Sequence, residues 1–260
     1  MYPSHPSQSG KETLPTMYDL PSEFPEESGL PDEFHNLQPQ LLRETFSPPT
    51  YPANQIFMGT DLNVYYDVNH PLWHKRPDWF AVVGVSRLYE EQDLRLSYVV
   101  WQEGVTPLIA VELVSPNTET EDFGRTLREV NQPPTKWEVY EQILGIPYYV
   151  VFNRYNDELR GFQLQGKRYQ ELHLGKEMRF WISSLELGLG VWQGSYDGIH
   201  RRWLRWFDAE GNWIPTLAEQ REQERQRAEQ QTELAQQERQ RADQLAQKLQ
   251  ELGIDPNDLS

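Results

Sequence analysis

Glu112 stands inside an apolar run, "LIAVELV" (Leu108–Val114), closed by Ser115 and Pro116. A run apolar on both faces marks a strand from a sheet covered on both sides. A carboxylate there is costly unless a cation pairs with it, a proton neutralises it or a metal binds it. A second carboxylate, Asp78, opens the strand-like run in "RPDWFAVVGV", just after Pro77. Each has an ordinary alternative: Asp78 as a turn residue, Glu112 as half of a buried ion pair. Brought side by side on neighbouring strands, the two make an oxygen site suited to Mg²⁺. Such an ion can activate water and offset charge building on a phosphate. Lys136 is the candidate to position that water, because it begins the helix after the Glu112 strand. Tyr140 follows at i+4 and shares its helical face. The plain alternative for Lys136 is a solvated lysine in a first turn.

These residues need a frame of strands and helices. Residues 1 to 28 are rich in Pro, Ser and Glu and read as a disordered or loosely attached arm. In "PDEFHNLQPQLLRETF", Phe34, Leu37, Leu41, Leu42 and Phe46 fall near helical spacing, with Pro39 expected to break or delay the helix. Strand-like runs follow in "NQIFMGTDLNVYYDV", "DWFAVVGV", "LSYVVWQ" and "PLIAVELV". Thr118 and Glu121 form a capping-box pattern that opens a helix through "TEDFGRTLREV", stopped by Pro133 and Pro134. A second helix, "TKWEVYEQILG", ends at Gly145 and leads into the strand "YYVVFNR". Later strands are read in "LRGFQLQGKRYQELHL" and "MRFWISS", then a hairpin-like "RRWLRWFDAEGNWIP". This order predicts an α/β domain over residues 29–215 with a mixed central sheet.

The segment 216–253 is different material, rich in Gln, Glu, Arg, Ala and Leu, and predicts one long helix before a short tail, 254–260. A heptad seam runs through Ala228, Ala235, Ala242 and Leu249, with a second line through Gln231, Glu238, Leu245 and Leu252. Half of that seam is polar or small, so a homodimeric coiled coil and a lone solvated helix are both open.

The net charge of −16 argues against a protein that coats DNA. Residues 1–50 carry 8 acids and 2 bases, and the domain body between the two ends has only a mild acidic excess, so a local basic groove stays open. There is no apolar stretch long enough for a membrane span and no secretory signal pattern. The absence of cysteine excludes disulfides and thiolate metal sites and agrees with a reducing, cytoplasmic setting.

The order of these motifs resembles the PD-(D/E)XK nuclease superfamily and, more narrowly, the Uma-two (Uma2) family of restriction-endonuclease-like proteins. In that family Pro-Asp opens one strand, and Glu-x-Val followed by Ser-Pro closes the next. An Asp follows, then a Lys-x-x-x-Tyr helix leading through Gly-x-x-x-Tyr into a strand. This chain carries the pattern as Pro77, Asp78, Glu112, Val114, Ser115, Pro116, Asp122, Lys136, Tyr140, Gly145 and Tyr149. The resemblance implies a restriction-endonuclease-like core, a mixed central sheet flanked by helices. It also implies Mg²⁺ (or Mn²⁺) held by Asp78, Glu112 and the backbone carbonyl of Leu113. One position departs from the superfamily: the lysine expected two residues after Glu112 is Val114, and in this family Lys136 of the following helix supplies it. Glu33 matches the position of an acid on the first helix that assists the metal in some members.

The expected function is a metal-dependent endonuclease acting on DNA. Two rivals are a nuclease-fold protein that binds nucleic acid or a partner without catalysis, and an assembly protein working through its terminal helix. Other motifs carry less. His70 and His74 in "HPLWH" have helical metal-pair spacing, but Pro71 argues against that helix. The arginines and tryptophans of "RRWLRWF" are a candidate base-stacking surface, and more often core and rim of a sheet.

Overall fold

The computed structural model describes residues 32–114 and 133–251. The helix expected from Thr118, and with it Ser115, Pro116 and Asp122 of the family pattern, lies outside the described residues. The chain divides into two units at Ile214–Pro215.

The first unit is α/β. Its six-stranded sheet has the order β1 (Ile56–Thr60), β4 (Trp79–Val83), β6 (Ile109–Leu113), β7 (Tyr148–Asn153), β8 (Glu158–Gln165), β9 (Arg168–Glu171). The β6–β7 pair is parallel and all the others are antiparallel, so the sheet is mixed. A second sheet joins β10 (Arg179–Ile182), β11 (Leu187–Tyr196) and β12 (Ile199–Phe207). A small third sheet joins β2 (Val64–Tyr65), β3 (His74–Lys75) and β5 (Tyr98–Val99).

Successive strand residues face opposite sides, and in β4, β6 and β7 both sides are covered. Trp79, Val111, Val150 and Phe152 face a core built with α1 (Glu33–Thr45) and the β10–β12 sheet, through Phe34, Leu41, Leu42, Trp203 and Trp206. Phe80, Ala110, Tyr149 and Val151 face a second core with Val64, Tyr66, Tyr98, Val139 and Tyr140. Two buried faces explain why these strands read as unbroken apolar runs.

Several local expectations change in three dimensions. α1 runs through Pro39 without stopping. The lost backbone hydrogen bond is outweighed by burial of Leu41 and Leu42 and by Gln38, whose amide bonds both the N–H (2.8 Å) and the C=O (2.9 Å) of Leu204. The run "NQIFMGTDLNVYYDV" splits at Asp61, whose φ of 50° turns β1 away from β2. The strand expected at "LSYVVWQ" is only Tyr98–Val99, followed by a short helix, α2 (Val100–Glu103), that Gly104 caps at φ 71°. The hairpin-like reversal expected in "RRWLRWFDAEGNWIP" is present, closed by an antiparallel bridge between Phe207 and Trp213. A longer hairpin not expected from the sequence joins β11 and β12, where Asp197 and Gly198 both have positive φ (50° and 77°), as a tight hairpin turn requires.

The second unit is α4 (Leu217–Glu251), 35 residues long, or roughly 50 Å at the helical rise. Thr216 and Glu219 close a capping box at its start: the Thr216 N–H donates to Oε2 (2.7 Å), and the Glu219 N–H donates to Oγ1 (3.2 Å). Leu217, Leu234 and Leu245 are exposed.

Candidate active site

The β4–β6 register aligns Trp79 with Val111 and Phe80 with Ala110. Continued by one residue, it sets Asp78 across from Glu112 on the same sheet face. Pro77 then stands opposite Leu113, where a proline offers no ladder N–H. The Leu113 N–H donates to the Asp78 side chain, whose Oδ2 accepts it at 2.6 Å, so the carboxylate supplies an acceptor at this strand end and not the donor that proline lacks. Asp78 thus keeps the ordinary role of closing a strand end. Among the described residues no hydrogen bond reaches its other oxygen.

Glu112 is fully buried, and the helix after β6 comes to meet it. That helix opens as α3 (Lys136–Glu138) and continues as a π-helical turn (Val139–Ile143). Thr135 caps it in a capping box with Glu138, which fixes where the first turn begins. Lys136 and Tyr140, one helical turn apart, both reach Glu112. The Lys136 ammonium donates to Oε2 at 2.8 Å and the Tyr140 hydroxyl to Oε1 at 2.9 Å. The lysine side chain is 17% exposed while the carboxylate is sealed. The ordinary reading of Glu112, a buried ion pair, and the chemical reading therefore use the same lysine. Val114, at the position of the superfamily lysine, is buried in the apolar core on that side.

The Leu113 carbonyl has a partner that the spacing argument did not find. His35 Nε2 lies 3.0 Å from it, and His35 Nδ1 lies 2.8 Å from Asp32 Oδ1. Both ring nitrogens face acceptors, so both carry protons and the ring is an imidazolium. Burial alone would lower its pKa. The hydrogen bond to Asp32, the charge of Asp78 and the Leu113 carbonyl outweigh it and lift the value to about 9. Asp32 caps α1 by accepting the His35 N–H at 3.0 Å, and its Oδ2 pairs with Arg154 at 2.6 Å. Burial would raise the Asp32 pKa, but these partners hold it down at about 2. Glu33, the acid singled out on this helix, is exposed. The signal for its neighbours was Asp-x-x-His at the head of an amphipathic helix, a spacing that puts an N-cap and a ring on one turn. His70 pairs with Asp67 at 2.7 Å and stacks on Trp73, whereas His74 turns to the Leu72 carbonyl (2.9 Å). They do not converge.

Asp78, Glu112 and the Leu113 carbonyl are hard oxygen donors from adjacent strands, the donor type that Mg²⁺ takes. Among the described residues no group of three or more Asp, Glu, His or Cys side chains gathers as a metal cage. The residue types fit a divalent ion that retains water, as Mg²⁺ does. A model of the Uma2 family, described as "Putative restriction endonuclease", matches residues 13–196. The chain belongs to the Uma2 family. A search of curated proteins finds no match. The Uma2 match takes in Asp32, His35, Asp78, Glu112, Lys136, Tyr140 and Arg154, and ends at the tip of the β11–β12 hairpin.

Proposed function

We propose that this chain is a Mg²⁺-dependent endonuclease that hydrolyses phosphodiester bonds of DNA, with Asp78, Glu112 and Lys136 as its catalytic residues. One observation carries the reading: a fully buried carboxylate, across from a second carboxylate, holds a lysine and a tyrosine from one turn of the next helix. Family membership supports the reaction class.

Asp78, Glu112 and the Leu113 carbonyl would hold the ion, which supplies acidity to water and offsets charge on the phosphate. The protein's own groups do the rest. Lys136, anchored at one end of Glu112, carries a flexible stem and three donor hydrogens, so it can turn toward a water or a phosphate oxygen. Tyr140 keeps the other carboxylate oxygen in place. The hydrolysis adds water across one P–O bond: the water oxygen bonds to phosphorus, and the ester oxygen leaves and takes up a proton.

A nuclease fold that binds without cutting is favoured by a separate fact. Lys136 is already engaged by Glu112, and position 114 offers only valine. Plasmid nicking with Mg²⁺ or Mn²⁺, run beside Glu112→Ala, decides between the two. Metal-dependent nicking that Glu112→Ala loses supports the enzyme. No nicking across both metals on supercoiled and linear DNA sinks it.

A further inference from the structure

Arg154 follows directly on β7, at the end of the sheet where Glu112 and Leu113 end β6, and Arg201 reaches the same corner from β12. Both guanidinium groups lie over one ring, that of Phe34, at 5.6 Å and 4.4 Å from its centroid. Trp203 stacks beneath that ring at 5.6 Å and is itself 5.5 Å from Arg201. Arg201 Nη2 donates to the Arg154 carbonyl at 3.0 Å, while Arg154 Nη2 reaches Asp32 (2.6 Å) and the Tyr155 hydroxyl (3.1 Å). Arg202 pairs with Asp157 at 3.6 Å alongside. Asp32 and Asp157 thus face three arginines: Arg154, Arg201 and Arg202. Burial first, and then the Arg154 charge, push the Arg201 pKa down, against weaker support from Asp157 and Asp32. In a chain of net charge −16, a local surplus of positive charge held on aromatic faces is suited to an anion from outside.

We propose that Arg154 and Arg201 form a phosphate subsite that grips the backbone of duplex DNA beside the scissile position. The word "scissile" rests on the nuclease reading above, whereas the grip itself does not. The subsite is tied to the candidate centre by a continuous chain of contacts, from the Leu113 carbonyl through His35 and Asp32 to Arg154. A planar guanidinium offers paired donors that match phosphate oxygens, and its aromatic support fixes the fork before the anion arrives. Phosphate contacts of this kind set the register of a strand and carry no base preference. The function is to seat the strand, with sequence left to other surfaces.

Fluorescence anisotropy of a labelled duplex in EDTA, where no metal is present to support cleavage, tests this across a salt series. Arg201→Ala and Arg154→Ala should each weaken binding about tenfold and lower the salt slope by roughly 1, the loss of one phosphate contact. Arg225→Ala, on exposed α4, should leave both unchanged. Should an alanine variant fail to melt cooperatively, Arg201→Lys and Arg154→Lys keep the charge. They should preserve the slope while losing affinity, because an ammonium does not reproduce the paired donors. A double alanine variant that folds and binds with wild-type affinity and slope overturns the subsite. If that variant still nicks plasmid with Mg²⁺, the nuclease reading survives alone. Arginine-dependent binding by a wild type that cuts nothing leaves the subsite standing and removes the nuclease. A wild type that binds no duplex at low salt overturns the subsite outright.

Discussion

Glu112 and Glu141 are both buried carboxylates that meet the same helix, and they are held in opposite ways. Glu141 extends from the π-helical turn to β9, where Oε1 accepts the Tyr169 N–H at 2.8 Å and Oε2 accepts Arg168 at 3.0 Å. The backbone donor is immovable, and Arg168 is 75% exposed, so water shares that charge. Glu112 is bonded by the tips of two side chains, a lysine and a tyrosine, at 2.8 and 2.9 Å. A carboxylate tied to a backbone N–H is a brace between a helix and a strand. A carboxylate held by side chains that rotate can exchange one cation for another without moving its strand. Burial alone does not separate the two roles; the nature of the donors does.

That contrast makes ordered predictions. The largest effect belongs to Glu112→Ala, which should lower plasmid nicking by about 10³-fold or more and abolish divalent-ion binding by calorimetry. Glu141→Ala measured beside it should nick normally below its melting temperature, and equal loss in both variants would erase the distinction. Next comes Lys136→Ala, expected to cost roughly 10²–10⁴-fold in nicking, the range for a group that positions a proton or water. Its stability should also respond, because a sealed Glu112 loses its cation. In EDTA the cost is about 2 kcal/mol or more, and Mg²⁺ should return part of it as a higher Tm. No metal-dependent recovery would mean that no second cation takes the lysine's place.

Glu141→Ala should cost about 2 kcal/mol by leaving the Tyr169 N–H unsatisfied, or roughly 4–8 °C in Tm for a domain of this size. The His35 effect is of similar size and depends on pH. Its folded pKa of about 9 lies above the unfolded value of 6.5. The stability it contributes is therefore complete below pH 6.5 and is lost as pH rises through 9. In EDTA, wild-type Tm should fall between pH 7 and 9.5 more steeply than that of His35→Gln, and parallel curves would contradict the imidazolium. Smallest of all, removing residues 217–260 should shift the first unit's Tm by about 1 °C or less, since the side chains of α4 are mostly exposed.

The central strands are legible in the sequence because β4, β6 and β7 are apolar on both faces, and in that background a single carboxylate shows. The helix that carries Lys136 and Tyr140 is legible from its cap and its i, i+4 spacing. β11 is not, because its glycines weaken every propensity signal. Their reason is tertiary: a Cβ on Gly188 would stand 1.9 Å from the Phe207 ring, and one on Gly194 would stand 2.0 Å from the Trp192 ring. α1 through Pro39 is hidden in the same way, since Gln38 finds its partners on Leu204, 166 positions away. Asp32 and His35 are not legible as site residues, because in the sequence they read only as a helix cap and its first turn. The backbone carbonyl they serve leaves no mark in a string of letters.

The corner at Phe34 has a consequence for the birth of the molecule. Its parts come from residues 32–35, 113, 154 and 201, so they span most of the first unit in chain order. Contacts so far apart close late, after the entropy of the intervening loops has been overcome. A growing chain carries Asp78, Glu112 and Lys136 well before it carries β12. An incomplete polypeptide leaving the ribosome therefore has the chemical groups without the corner that would present a strand to them. If the corner seats DNA as proposed, competence arrives with the last strands.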